Sequence, residues 1–173
     1  MPAMRRIAAG TTVGVLVLAS IGAGFALWRR AASDTPQVHR LADGTLASFA
    51  ADTRLVPAQG FPVRREVSVE GEALLRVPVA RRPLTLDTPL LRIDVIRTST
   101  LLVTARARQA GEEVRMLSGE AIVSKRYPSP YPAPARLRAG EMAMVNRTID
   151  LMETEPIAAH TLARMREWAK TLR

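Results

Sequence analysis

A Gly-Glu pair set among aliphatic residues occurs three times in this 173-residue sequence and constrains its fold more than any other feature. The three segments are VEGEALL (69–75), LSGEAIV (117–123) and RAGEMAM (138–144). Glycine tolerates a positive φ and the close passage of another strand, so a glycine at a strand end marks a bend or a bulge. Three such bends within strand-like sequence predict a chain that folds back on itself repeatedly.

The surrounding sequence is typical of short β-strands. Asp43-Gly44, between Leu41 and Leu46, is a strong signal for a hairpin turn. Residues 65–77 begin with strict alternation of polar and apolar side chains, and residues 90–105 are rich in β-branched and aliphatic side chains. Because short turns rather than helical crossovers separate these segments, the sequence predicts an all-β, mostly antiparallel domain.

The last twenty residues change period. Thr154-Glu155-Pro156 is typical of a helix start, and the apolar residues that follow keep helical spacing, so an amphipathic helix is predicted over 154–173. Such a basic terminal helix either packs its apolar stripe over the sheet or lies on a membrane or a partner. Packing over the sheet is the favoured interpretation.

A proline-rich segment separates two of the predicted strands. Residues 125–136 contain four prolines and are typical of an extended, polyproline-like stretch. The favoured interpretation is a stiff surface loop, and the alternative is a ligand for a partner's aromatic groove. Tyr127 and Tyr131 on this segment are expected to be the most exposed aromatic residues of the domain.

An uncharged apolar segment lies near the N-terminus. Residues 7–28 would span about 33 Å as a helix, enough to cross a hydrocarbon core of about 30 Å. Trp28 and the two arginines after it resemble an interfacial anchor, so we expect a single retained transmembrane helix. The alternative is a cleaved signal peptide, with residues 24–26 as its small-x-small site.

The flanking residues suggest a topology for this segment. Residues 1–6 are assigned to a short cytoplasmic tail, residues 31–37 to a linker, and the remainder to an exported domain. The glycines at positions 10 and 14 have the small-xxx-small spacing of helix dimers, so a homodimer through the span is an open alternative.

Charge and composition exclude several classes of function. The chain has a net charge of +9, and from residue 31 onward 21 basic and 16 acidic residues leave +5. Aromatic residues make up only 4% of the chain, whereas single-stranded nucleic-acid binding relies on stacking aromatics within a basic groove. Nucleic acid is therefore not an expected partner. The excess positive charge is better suited to attracting anionic lipid headgroups. The absence of cysteine excludes disulfides and thiolate metal sites.

No pattern of catalytic or metal-binding residues stands out. The two histidines, His39 and His160, lie far apart in the sequence. The carboxylates beside glycine, at Asp43, Glu72, Glu120 and Glu141, are interpreted as acceptors of backbone N–H groups in bends, because the same local arrangement recurs. We therefore predict no catalytic, cofactor-binding or metal-ligating residue, and the chain is not expected to be an enzyme.

The order of six motifs resembles a known family. The segments QVHRLADGTLASF, AADTRL, RREVSVEGEALLRV, RRPLTLDTPLLRIDV, EEVRMLSGEAIV and LRAGEMAMV, between about residues 38 and 146, resemble the periplasmic domain of the FecR family. These proteins regulate cell-surface signalling and are best known from iron-citrate uptake. The resemblance implies a solenoid-like β domain in the periplasm, anchored by one span in the inner membrane. It also implies contact with the signalling domain of an outer-membrane TonB-dependent transducer, and no cofactor.

The sequence departs from the family pattern in three places. Only MPAMRR precedes the span, where full regulators carry an anti-sigma domain, and Arg97-Thr98 replaces a Gly-Thr step. The chain also ends after one predicted helix, where many relatives continue. We therefore expect either a reduced relative that signals to a sigma factor through another cytoplasmic protein, or a start site downstream of the true one. The alternative function is a periplasmic or envelope binding protein without a signalling role.

Overall fold

The computed structural model describes residues 37–49, 51–106, 109–132 and 134–172, and these form twelve β-strands and one α-helix. The cytoplasmic tail, the span at 7–28 and all but the last residue of the linker lie outside the described residues. Within the described ranges, no helix is long and apolar enough to cross a membrane. The strands are β1 (Gln37–Arg40), β2 (Leu46–Phe49), β3 (Arg54–Pro57), β4 (Glu66–Val77), β5 (Leu84–Asp87), β6 (Leu91–Val95), β7 (Ser99–Ala105), β8 (Gly111–Ser118), β9 (Glu120–Lys125), β10 (Ala135–Arg138), β11 (Glu141–Asn146) and β12 (Leu151–Pro156). The helix is α1 (Ala159–Ala169), followed by a 3₁₀ turn at Lys170–Leu172.

The strands form two sheets that share β4. The first sheet has the order β1-β2-β4-β7-β8-β11-β12 and uses the C-terminal half of β4. The second has the order β3-β4-β5-β6-β9-β10 and uses the N-terminal half. Every described strand pair is antiparallel except β4 with β5. The prediction of a mostly antiparallel β domain is confirmed, and so is the hairpin that turns at Asp43-Gly44 between β1 and β2.

Each repeated Gly-Glu segment lies where the chain leaves one sheet for the other. Gly71 divides β4 into its two halves, Gly119 separates β8 from β9, and Gly140 separates β10 from β11. The three glycines have φ values of +113°, +88° and +86°, in the region that side chains of L-residues rarely adopt. The predicted bends are therefore confirmed, and they share the role of carrying the chain across the edge of the module.

The arrangement differs from the predicted solenoid-like stack. Repeats in a solenoid contact only their neighbours along the chain, whereas β4 pairs with β2, β3, β5 and β7. The hydrophobic core lies between the two sheets and receives alternate side chains from both. Its largest fully buried members include Val67, Leu75, Leu84, Leu86, Leu91, Ile93, Leu101, Met116 and Leu137.

A second apolar cluster lies on the outer face of the first sheet, beneath α1. Leu74, Leu102 and Met142 from the sheet pack with Ile157, Met165, Ala169 and Leu172 from the C-terminal segment. Two polar contacts hold the same interface. Trp168 Nε1 donates to Ser48 Oγ at 2.8 Å, and Arg76 donates to the carbonyl oxygens of Leu172 at 2.7 Å and Ala169 at 3.3 Å. The helix therefore packs over the sheet, as the favoured interpretation predicted.

The start of the predicted helix is wrong. Residues 154–156 belong to β12, which pairs with β11 along its whole length, and α1 begins only at Ala159. A Thr-Glu-Pro sequence is compatible with a helix start and also with the end of an edge strand, where a proline removes no ladder bond. Tertiary pairing with β11 decides between the two.

Two of the glycines at the sheet-to-sheet corners, Gly71 and Gly119, each lie against a buried hydroxyl group. Thr53 Oγ1 accepts the N–H of Glu72, and Ser99 Oγ accepts the N–H of Glu120, at 3.0 and 3.1 Å. A Cβ placed on Gly71 would lie 2.7 Å from the Cα of Thr53, and one on Gly119 would lie 2.4 Å from the carbonyl oxygen of Thr98. A Cβ on Gly140 would meet nothing within 4 Å.

This contrast yields a matched pair of variants. Gly119→Ala should lower the free energy of unfolding by about 3 kcal/mol, because the new methyl meets backbone atoms and φ is positive. Gly140→Ala has the same positive φ in open space and should cost about 1 kcal/mol. Urea unfolding followed by tryptophan fluorescence measures both. Equal losses for the two variants would contradict the close passage at Gly119.

Candidate functional site

Asp43, Glu72, Glu120 and Glu141 do not form one site, because each has its own partners. Asp43 accepts the N–H of Thr45 at 2.9 Å, and Glu141 accepts the N–H of Arg138 at 2.8 Å, as the bend interpretation predicted. Asp43 also forms a buried ion pair with Arg65, whose side chain is 7% exposed.

The other two corner carboxylates pair with arginines rather than with backbone N–H groups. Glu72 bonds Arg106 at 2.9 Å, and Glu120 lies between Arg97 and Arg136. The hydrogen bond from Arg136 holds the pKa of Glu120 below its usual value. The interpretation of these two carboxylates as backbone acceptors is therefore wrong, since a hydroxyl already holds the nearby backbone N–H.

The histidines also have separate surroundings. His39 stacks on Phe49 with ring centroids 4.8 Å apart, and His160 is exposed in the first turn of α1. Across the described part of the chain, no group of histidine, aspartate and glutamate side chains is arranged to hold a metal ion.

The proline-rich loop is tied to the turn between β11 and β12. Lys125 Nζ, in a side chain that is 3% exposed, bonds Asp150 Oδ1 at 2.8 Å and Ser129 Oγ at 3.0 Å. Tyr127 is half-buried, with Lys125 and Arg147 above its ring, so its expected exposure is wrong. Tyr131 is 73% exposed, as predicted. The loop is an anchored surface excursion.

An exposed apolar patch lies beside that turn, on the outer face of the first sheet. Met144 of β11, Ile149 of the turn and Leu151 of β12 are 44%, 66% and 40% exposed. They line a shallow groove of about 360 Å³ together with Thr104, Gln109 and Asn146. We name Met144, Ile149 and Leu151 the distal patch. Large exposed side chains grouped in this way are typical of interaction sites.

An open strand edge adjoins the distal patch. Among the described strands β12 pairs with β11 alone, so its other side presents backbone N–H and C=O groups that no described strand pairs. The other strands with one described neighbour, β1, β3 and β10, have four residues each, and every one carries an arginine. β12 has six residues and no basic side chain. This edge is therefore longer than the others, and its two glutamates and terminal Pro156 are its only protecting features.

Acidic side chains surround this edge. Glu153 and Glu155 lie opposite Met144 and Met142 in the register and so share the outer face with the distal patch. Both are exposed, and neither has an ion-pair partner among the described residues. Burial raises the pKa of the nearby Glu113, and Glu155 and Glu72 add to the effect while Arg115 opposes it. The edge of a basic protein is thus locally acidic.

A buried carboxyl group lies under the groove and connects the two sheets. Glu112 of β8 is 3% exposed, bonds the hydroxyl of Thr88, and accepts the N–H of Leu90 at 3.1 Å. Burial raises the pKa of Glu112, and its hydrogen bonds and the charge of Arg126 offset only part of that effect.

Neither the distal patch nor the buried Glu112 is predicted from the sequence. The patch adjoins β12, whose residues 154–156 are predicted to be helical, so the position of β12 as an edge strand could not be predicted. For Glu112 a local signal existed: the side chain occupies the inward phase of β8, between Gly111 and the buried Val114. A carboxylate in that phase indicates a buried partner.

Comparison with known proteins supports the fold only. No family model matches the sequence, and no match was found among curated proteins. Two crystal structures of a putative anti-sigma factor from Parabacteroides distasonis, at 1.65 and 2.50 Å resolution, are similar to this chain, each with a TM-score of 0.64 and 22% sequence identity. The match covers 75% of this chain and 59% of that protein, so this chain spans under two thirds of its length. Membership of the FecR family stays a prediction.

The raised pKa of Glu112 predicts how the stability of the fold depends on pH. Because its pKa in the folded state is raised, the folded state binds the proton more tightly, and the stabilisation is greatest below the usual carboxyl pKa. It is lost as pH rises through the raised value. The melting temperature of the unmodified protein should therefore fall as pH rises above 4.5, the usual value. In Glu112→Gln this fall should be smaller, since the amide stays neutral.

Asp150→Asn provides a control of opposite sign. Hydrogen bonds from Lys125 and Ser129 lower the pKa of Asp150, so its stabilisation is present above the usual pKa and lost as pH falls. Melting curves of the three proteins across acid and neutral pH give the comparison. An unchanged pH profile in Glu112→Gln would show that Glu112 does not bind the extra proton.

Proposed function

We propose that this chain is a non-enzymatic regulatory protein, anchored in the bacterial inner membrane, whose periplasmic β module binds a protein partner and takes part in signalling to a sigma factor. The observation that carries the proposal is the distal patch next to the open, acidic edge of β12. Exposed apolar side chains beside free backbone groups are the two parts of a strand-addition site, in which main-chain bonds give affinity and alternate side chains give specificity.

The charges on β12 select the chemistry of the partner strand. A second copy pairing through the same edge would bring glutamates at positions 153 and 155 opposite one another, and like charges directly opposite destabilise a strand pair. A strand with basic residues at alternate positions would instead make favourable cross-strand pairs. An apolar residue at its end would cover Ile149 or Leu151. The proposed occupant is therefore a basic strand of another protein.

Two further lines of support concern the pathway. The fold is similar to that of a protein named as a putative anti-sigma factor. The six ordered motifs resemble the FecR family, which implies the signalling domain of an outer-membrane TonB-dependent transducer as the partner and regulation of iron transport as the context. The uncharged segment 7–28 supplies the proposed single-pass anchor.

In-cell photocrosslinking tests the docking site. A photoreactive amino acid replacing Leu151, which is 40% exposed on β12, should give a covalent adduct with an envelope protein. The same residue replacing Val56, which is 41% exposed on the edge strand β3, is the matched control and should give none. Adducts at both positions, or only at Val56, would contradict β12 as the docking edge.

Charge reversal tests the partner's chemistry. Glu153→Lys combined with Glu155→Lys replaces two attractive cross-strand pairs by repulsive ones and should weaken partner binding about tenfold. Both side chains are exposed, so the melting temperature should change little. A sigma-dependent reporter should lose its response in the same cells. Retained crosslinking with no effect of deleting the chain on the reporter would favour the alternative of a non-signalling envelope protein.

A further inference from the structure

Two surface loops outside the docking site carry nearly the same sequence. The loop between β3 and β4 contains Pro-Val-Arg-Arg at 62–65, and the loop between β4 and β5 contains Pro-Val-Ala-Arg-Arg at 78–82. The valines, Val63 and Val79, are 77% and 76% exposed, more than any other large hydrophobic residue in the described ranges. Neither is used by the core or by the distal patch.

The two loops meet at one end of the module through Arg65. Its guanidinium donates to Asp43 Oδ2 at 2.7 and 3.0 Å and to the carbonyl oxygen of Arg82 at 2.6 Å. The side chain of Asp43 is 4% exposed, so this connection is buried and fixes the loops relative to each other. Val63 and Val79, together with Arg64, Arg81 and Arg82, are exposed in the two loops that this hydrogen-bonded frame connects.

The charges on this end remain largely uncompensated. Arg81 and Arg82 are exposed and have no ion-pair partner among the described residues, while Arg64 pairs with Glu66 but stays 66% exposed. We name Val63, Val79, Arg64, Arg81 and Arg82 the arginine–valine end. Exposed valines beside arginines suit the boundary of a bilayer, where apolar groups enter the headgroup region and guanidinium groups bind lipid phosphates.

The chain outside the described residues has the length to bring this end to a membrane. Residues 29–36 follow the uncharged segment and reach at most about 28 Å when extended. β1 then runs four residues, about 13 Å, from Gln37 to the turn that holds Asp43. The extended linker is therefore longer than β1. It can run back beside β1 and so allow the arginine–valine end, which lies at the far end of that strand, to reach the membrane.

We propose that the arginine–valine end docks on the anionic lipid surface of the membrane that holds the chain. This inference rests on the anchor in the proposed function but concerns a different surface from the distal patch. Attachment to the bilayer keeps the loops at high local concentration, so two valines and three arginines suffice where a free domain would need a larger surface.

Environment-sensitive labels on the full chain test this inference. The sequence has no cysteine, so Val63→Cys and Val79→Cys each give one labelling site, and Tyr131→Cys gives a control that is 73% exposed on the proline-rich loop. Each protein is reconstituted into phosphatidylcholine vesicles with and without about one third phosphatidylglycerol. Extraction at alkaline pH checks that the chain is inserted.

The expected result is a blue-shifted, brighter emission at positions 63 and 79 in anionic vesicles, and none at position 131. The shift should disappear in about 1 M salt, where the Debye length falls to about 3 Å, and in a variant carrying Arg81→Glu and Arg82→Glu. Two results with the inserted protein would overturn the inference. In one, the labels at positions 63 and 79 keep the emission of a water-exposed dye, and in the other, their emission shifts equally in vesicles without anionic lipid. If the chain extracts as a soluble protein, the proposed anchor fails instead, and flotation of the same chain with anionic vesicles then decides whether the loops bind lipid.

Discussion

The contact that the whole module depends on is the passage of a corner glycine over a buried hydroxyl. At Gly119 there is no room for a Cβ beside Ser99, whose hydroxyl accepts the N–H of Glu120. At Gly71 the same arrangement recurs with Thr53. The hydroxyl satisfies a backbone donor that the bend removes from the ladder, and the missing side chain lets the two segments approach. Both sheets are thereby held at the separation that the aliphatic core fills.

Those corners also determine which edges are left open. Because the chain changes sheets at Gly140, β11 joins β8 in the first sheet and β12 becomes its terminal strand. The helix that follows returns over Leu74 and Leu102 and covers only that part of the outer face. Met144 and Leu151 lie beyond it. The distal patch and the β12 edge are thus the part of the sheet that α1 leaves uncovered, which explains why apolar side chains lie beside unpaired backbone groups.

The strand content, the hairpin at Asp43 and the three bends could be predicted, because each depends on local signals such as alternation and glycine. The position of β12 as an edge strand could not be predicted. Residues 154–156 suit both a helix start and a strand end, and only pairing with β11 decides. Likewise Glu72 and Glu120 could not be assigned to Arg106 and Arg136, since those arginines are distant in sequence and are placed by the fold. Local chemistry is readable from sequence, whereas its partners follow from topology.

The two surfaces lie at opposite ends of the strands, which gives the proposed functions a common geometry. β5 begins beside Arg65 at the arginine–valine end and leads to Thr88, Leu90 and, through Arg126, to the proline-rich loop. That loop is bonded to Asp150 in the turn of the distal patch. If the arginines lie on lipid headgroups, as proposed, the distal patch lies at the end of the module farther from the bilayer. The two proposals therefore assign the exposed arginines at one end to lipid and the glutamates on the β12 edge to a basic strand, within a chain whose net charge is positive.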